Sequence, residues 1–198
     1  NLYCGGFAGY MYGGSVTNCT VKGRIENGVK GNNTSSESNC AFTAGCVGHA
    51  IEAVIENCTI EGDVATMGRY AAGVVAMIED GTIDNCHILS TSEISNVSHY
   101  CGGIAAIMKG NSSIIKNCRF DGRVNTSYPI AGAIVGSITA GKVYNCISTR
   151  NSMTTSYEGY SGGIAGQIYT ATATDIAIID NCAAYGQVEG SYNIGGIV

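Results

Sequence analysis

The residues best suited to chemistry in this 198-residue chain are its ten cysteines. Six recur in one context, an aliphatic residue, any residue, then Asn-Cys, at Cys19, Cys58, Cys86, Cys118, Cys146 and Cys182, preceded by Asn18, Asn57, Asn85, Asn117, Asn145 and Asn181. Even numbers of cysteine suit a disulfide framework, and clustered cysteines suit zinc. Zinc needs convergent ligands such as Cys-x-x-Cys pairs, which this sequence lacks, and His49, His87 and His99 have no matching partners. No metal and no cofactor is expected.

Carboxylates raise a second possibility, because polysaccharide cleavage uses acidic side chains at paired separations. The position before each ladder asparagine reads Thr17, Glu56, Asp84, Lys116, Tyr144 and Asp180. Stacked repeats would make Glu56 and Asp84 neighbours, with Glu61 and Asp63 farther along the same strand. No histidine, arginine clamp or tryptophan converges on them, so a solvated face accounts for them and no catalytic residue is assigned. Aromatic residues form the third set. Tyr3, Phe42, Tyr70, Tyr100, Tyr128, Tyr160 and Tyr192 each lie shortly before a glycine-rich block, and stacking would align them as a platform for sugar rings or a partner protein, or as a sealed corner of the core. The glycine-rich blocks lack the lysine of a phosphate loop.

All three sets are positioned by one internal repeat. The six cysteines are 39, 28, 32, 28 and 36 residues apart, a period that signals a solenoid with loops of variable length. Upstream of each stands a second block, as in Gly5-Gly-Phe-Ala-Gly9, Gly102-Gly-Ile-Ala-Ala106 and Gly162-Gly-Ile-Ala-Gly166. After each cysteine the chain alternates, as in Cys58-Thr-Ile60-Glu-Gly62-Asp-Val64, which means half-buried strand with cysteine and aliphatics inside. The fifth copy, Cys146-Ile-Ser-Thr-Arg150, lacks the glycine, which leaves its register open.

These features predict a single all-β domain over residues 1–198, a right-handed parallel β-solenoid of about six rungs with two to three short strands per rung. An antiparallel sandwich is the competing fold, and hairpin turn pairs at regular spacing are missing. The inward register makes the cysteines buried free thiols that pack as small hydrophobes, with bridges between adjacent rungs as the alternative. Each asparagine takes a bend, where its side chain tolerates left-handed backbone and bonds the rung above.

The Gly-Gly-Φ-Ala-Gly block followed by Ile-x-Asn-Cys-x-Φ-x-Gly-x-Val resembles the GLUG repeat of large bacterial surface proteins, among them adhesin-like proteins and the non-catalytic regions of immunoglobulin-A-cleaving metallopeptidases. The resemblance implies an extracellular or cell-surface location, a structural or adhesion role without catalysis, and flanking domains of the same chain. Partners of such a module would be host or matrix proteins or glycans. A sugar-binding or polysaccharide-cleaving β-helix is the alternative. Composition agrees with a folded chain, at 45% hydrophobic and 13% charged residues. A net charge of −5 without any Lys/Arg cluster argues against nucleic acid, and no run approaches the roughly 18 apolar residues of a membrane span. Two excursions, residues 27–41 and 168–176, interrupt the repeat and offer loops for binding.

Overall fold

The computed structural model describes residues 2–28, 41–127, 129–157 and 159–198. Every strand pairing among them is parallel and joins one repeat to the next. The fourth turn shows the plan, with strands Tyr100–Gly102, Ala105–Lys109, Ile114–Lys116, Arg119–Phe120 and Arg123–Thr126. Equivalent strands stack into five sheets, called here sheets 1 to 5 in that order; sheet 1 has seven strands and the others six each. The chain is a parallel β-solenoid of six turns with a seventh begun.

Each turn contains five strands, not two or three. The alternation after the cysteine reads as one strand, but a corner divides it. In the first turn Thr20–Lys22 and Ile25–Asn27 are separated by Gly23 and Arg24, and the φ of Gly23 is +90°. A two-residue corner preserves the parity of a period-two pattern, so the sequence conceals it. Residues 29–40, most of the first excursion, lie outside the described residues.

In-register stacking builds the core from columns of like residues. Ile55, Ile83, Ile115 and Val143 line sheet 3, and Val64, Ile94 and Val124 line sheet 5, all essentially inaccessible to solvent. In sheet 4 the column runs Ile60, Ile88, Phe120, Ser148. The fifth copy therefore keeps register, with Ser148 turned inward beside Phe120 and bonded to Ser152 Oγ at 2.7 Å. The glycine blocks mark the bend between sheets 1 and 2. A Cβ on Gly103 would lie 2.0 Å from the Ala133 carbonyl oxygen and 2.4 Å from the Phe120 ring, so the close approach of successive turns excludes a side chain there.

Candidate functional site

The corner between sheets 3 and 4 holds the Asn-Cys pairs. All six asparagines are left-handed, with φ between 46° and 56°. Five of them, all but Asn181, donate their backbone N–H to the next turn, as from Asn57 to the Glu56-equivalent carbonyl of Asp84 at 3.1 Å. Asn85 Nδ2 donates to Asn57 Oδ1 at 2.7 Å, Asn145 to Asn117 at 3.3 Å and Asn181 to Asn145 at 2.7 Å. Between Asn85 and Asn117 the amide ladder is broken, because Asn117 Nδ2 donates instead to Asp84 Oδ1 at 2.8 Å.

The neighbouring cysteines turn inward. Cys58, Cys86, Cys118 and Cys146 are buried, while Cys19 and Cys182 at the two ends are partly exposed, and all nine cysteines among the described residues are free thiols. Each ladder thiol donates to the carbonyl two residues before it, from 3.1 Å at Cys118 to 3.4 Å at Cys86 and Cys146. Burial, then hydrogen bonding to Cys146 and Cys86, pushes the Cys118 thiol well above its ordinary range. Hydrogen bonds from neighbouring thiols, Cys46 to Cys58 and Cys118 to Cys146, hold those two below the ordinary range, so the thiols alternate along the column; their burial among aliphatic side chains makes the column part of the core packing.

The four carboxylates do not converge. Glu56 and Asp84 are register neighbours on sheet 3, but the Asn57 corner intervenes, so Glu61 lies on sheet 4 and Asp63 in the next bend instead of farther along the same strand. Lys116 Nζ lies 3.1 Å from Asp84 Oδ2, Lys22 Nζ lies 2.8 Å from Glu61, and Asp63 Oδ1 accepts the Glu93 N–H at 2.9 Å. Three of the four thus tie one turn to the next.

His87, without a visible partner in the sequence, has one in space. Its Nε2 lies 2.6 Å from Asp121 Oδ2, which also accepts from Arg119 Nε at 2.8 Å, while Thr149 Oγ1 donates to Asp121 Oδ1. Burial pushes the Asp121 carboxyl up, but the hydrogen bonds from Arg119, Thr149 and His87 outweigh it and hold it down at about 2. This cluster links turns three, four and five. His49 Nε2 lies 3.7 Å from Glu79, and His99 Nδ1 is 2.8 Å from Ser98 Oγ.

Sheet 1 carries the aromatic column on its outer side, since Ala71, Cys101 and Ala131 occupy the tube core while Tyr70 belongs to a separate cluster. Successive rings stack: Tyr3 on Phe42 at 5.3 Å and 25°, Phe42 on Tyr70 at 4.6 Å and 7°, Tyr70 on Tyr100 at 5.3 Å and 10°. The column then stops. Register places Ile130 between Tyr100 and Tyr160, and Tyr128 lies outside the described residues. Tyr192 is not aligned, because Ser161 pairs with Ile194. The reason is parity. Tyr70, Tyr100 and Tyr160 stand two residues before their block, whereas Tyr192 stands three before, and a strand reverses side at each residue.

A parallel column on sheet 2, Tyr10, His49, Met77, Ile107, Ser137 and Gln167, closes the other side of this outer angle. His49 stacks on Phe42 at 5.6 Å and 18°, so in the first three turns the angle is filled; Phe42 is 1% and Tyr70 2% exposed. Farther along it opens into a cavity of about 380 Å³ lined by Arg69, Tyr70, Tyr100, Ile107, Lys109, Thr139, Tyr169 and Asp175, among others. The excursion 168–176 forms its roof. Asn111, two turns earlier, accepts from the Ile176 N–H at 2.9 Å and donates to the Thr174 carbonyl at 3.1 Å, and Asp175 Oδ2 accepts the Thr172 N–H at 2.8 Å.

Arg69 Cζ sits 5.7 Å from the centroids of both Tyr70 and Tyr100, and Asn96 Nδ2 donates to the carbonyls of Arg69 and Tyr100 at 3.0 Å each. Burial and the positive Arg69 lower the pKa of nearby His99. Sequence reasoning missed Arg69, Lys109, Thr139 and Asp175 as a group. Its usable signals were the basic residue directly before Tyr70 and the excursion itself.

The fold and these columns define a repeat module. The family model for the GLUG motif matches residues 1–26, the first turn, whose glycine block and Asn-Cys corner recur in the turns that follow. The crystal structure of a candidate immunoglobulin A1 protease from Bacteroides ovatus is similar, with a TM-score of 0.60 at 23% identity, over 93% of this chain and 53% of that one. This chain spans about half the length of that protein, and the likeness is one of fold. No curated protein matches the chain.

Proposed function

We propose that residues 1–198 form one non-catalytic module of a secreted or cell-surface bacterial protein, a stiff spacer that also serves adhesion through its outer angle. The observation that carries this reading is the use of the acidic side chains: Asp84 on sheet 3, Glu61 on sheet 4 and Asp63 in the bend after it are spent on cross-links between turns. Hydrolysis of a glycosidic bond needs an acid and a base facing one another across a substrate. Continuous parallel stacking suits a spacer, since every turn is braced by its neighbours. The GLUG motif in the first turn and the fold shared with a bacterial protein support the location.

The test is a depolymerisation assay on acidic and neutral polysaccharides. The module is expected to release no reducing ends. Turnover that disappears in Glu56→Gln or Asp84→Asn would overturn the spacer reading in favour of a carbohydrate-cleaving β-helix.

A further inference from the structure

We infer that a groove along the bend from sheet 5 into sheet 1 binds an uncharged polysaccharide chain laid parallel to the tube axis, on a surface apart from the outer angle. Its floor is one register column on the outer side of sheet 5, Glu26, Ala65, Ser95, Asn125 and Thr155, in which successive residues stand about 4.8 Å apart. Ala65 and Ser95 are small and keep the floor low, while Met67 and Val97, 38% and 47% exposed, form an apolar rim two residues farther on. The result is a depression of about 280 Å³ that touches four successive turns. A second, of about 490 Å³, is lined by Thr155, Tyr157 and Ser191 among others. Since Asn125 pairs with Thr155, it begins one register step beyond the first.

The lining selects a ligand by what it lacks as well as by what it offers. Of the described residues around the first depression only Arg24 and Glu26 are charged, and they pair with each other at 2.9 Å. Beside them Glu93 and Arg123 are register neighbours of opposite sign. With no surplus charge, the groove attracts neither nucleic acid nor a uronic-acid chain. An extended peptide docks on a sheet by hydrogen bonding to an open strand edge, but the sheet 5 strands of turns two to five are paired on both sides. Side chains must therefore make the contacts. Ser95, Asn125 and Thr155 offer hydroxyls and an amide that both donate and accept, as sugar hydroxyls require. Met67, Val97 and Tyr157, the last 61% exposed, offer apolar and aromatic surface for the ring faces of sugars. A polymer of like units suits a column of like positions, because each advance by one turn presents groups of the same kind. The rim is fixed beforehand: Asn96 Nδ2 donates to the Arg69 and Tyr100 carbonyls at 3.0 Å each, and Thr66 Oγ1 accepts the Gly68 N–H at 2.9 Å, so little ordering opposes binding.

Calorimetry on the 198-residue chain tests this with neutral β-linked hexasaccharides of glucose, mannose and galactose, their disaccharides, a glucuronic-acid hexasaccharide and a neutral peptide rich in Ser, Asn and Thr. At least one neutral hexasaccharide is expected to bind, its disaccharide about tenfold more weakly because it spans fewer turns, and salt should leave the affinity unchanged. Ser95→Arg, which fills the floor, and Asn125→Ala should each weaken binding about tenfold, and Tyr157→Ala should narrow the gap between hexasaccharide and disaccharide. All three positions are exposed or half-buried, so melting should stay at the parent's value. Failure of every neutral hexasaccharide to bind, tighter binding of the uronic-acid chain or of the peptide, or unaltered affinity in both Ser95→Arg and Asn125→Ala would overturn the inference. Binding lost in Tyr169→Ala and kept in those two variants would overturn it too, and would move the ligand to the outer angle.

Discussion

The inner corner between sheets 3 and 4 and the outer angle between sheets 1 and 2 are built by the same device, like residues stacked in register, yet they behave differently along the axis. The inner corner repeats its asparagine and cysteine through all six turns. The outer angle holds its rings for four turns and then changes to Ile130, Ser137 and Gln167. A side chain inside the tube touches the turn before, the turn after and the opposite sheets, so each substitution disturbs several contacts. Outside, one flank is open, and the chain can vary where variation creates a cavity. The cavity arises where the outer pattern fails.

The largest effect expected is on the inside. Cys86→Asp places a carboxylate in a thiol column buried among aliphatic side chains, a cost expected to exceed about 5 kcal/mol and to abolish cooperative melting of the surrounding turns. Thermal unfolding followed by circular dichroism reads this directly. A variant that melts like the parent would mean the column faces solvent, and the contrast between inside and outside would collapse.

Next comes Phe42→Ala, which removes a buried ring from between Tyr3 and Tyr70 and should cost about 3–5 kcal/mol. A cost under about 1 kcal/mol in a denaturant titration would show the filled end of the outer angle to be as tolerant as the cavity end. Acid comes third. The Asp121 carboxyl, 6% exposed, has a folded pKa of about 2, below its unfolded value of about 3.9. Its contribution, about 2 kcal/mol, is therefore complete above about pH 5 and lost as pH falls toward 2. Asp121→Asn should remove that part of the stability profile, and an unchanged profile would show the His87–Asp121–Arg119 cluster to be surface decoration.

The smallest effect sharpens the account of the thiols. Cys86→Ala leaves a small cavity and should cost about 1 kcal/mol. In the native protein an alkylating reagent should reach Cys19 and Cys182 before Cys58, Cys86, Cys118 and Cys146, and denaturation without reductant should expose all six. A requirement for reductant would replace the thiol column with bridges.

Much of the architecture is legible in the chain because repetition makes each local pattern report on its neighbours. The aliphatic-x-Asn-Cys unit places a left-handed bend and an inward thiol in every turn, and alternation after it separates core from surface. Parallel stacking follows, since equivalent residues can share a column only if the turns advance in register. Corners of two residues preserve the alternation and are invisible to periodicity, which is why five strands per turn read as two or three, and why Glu56 and Glu61 seem to share a strand. Parity decides the aromatic column: Tyr192 is one residue out of phase, and no composition argument reveals that Ile130 takes the fifth position. The cavity depends on tertiary structure entirely. Arg69, Lys109, Thr139 and Asp175 come from four different turns, separated by up to 106 positions in the sequence. Only the winding of the solenoid, with one excursion folded back over two turns and held by Asn111, brings these four residues around one cavity.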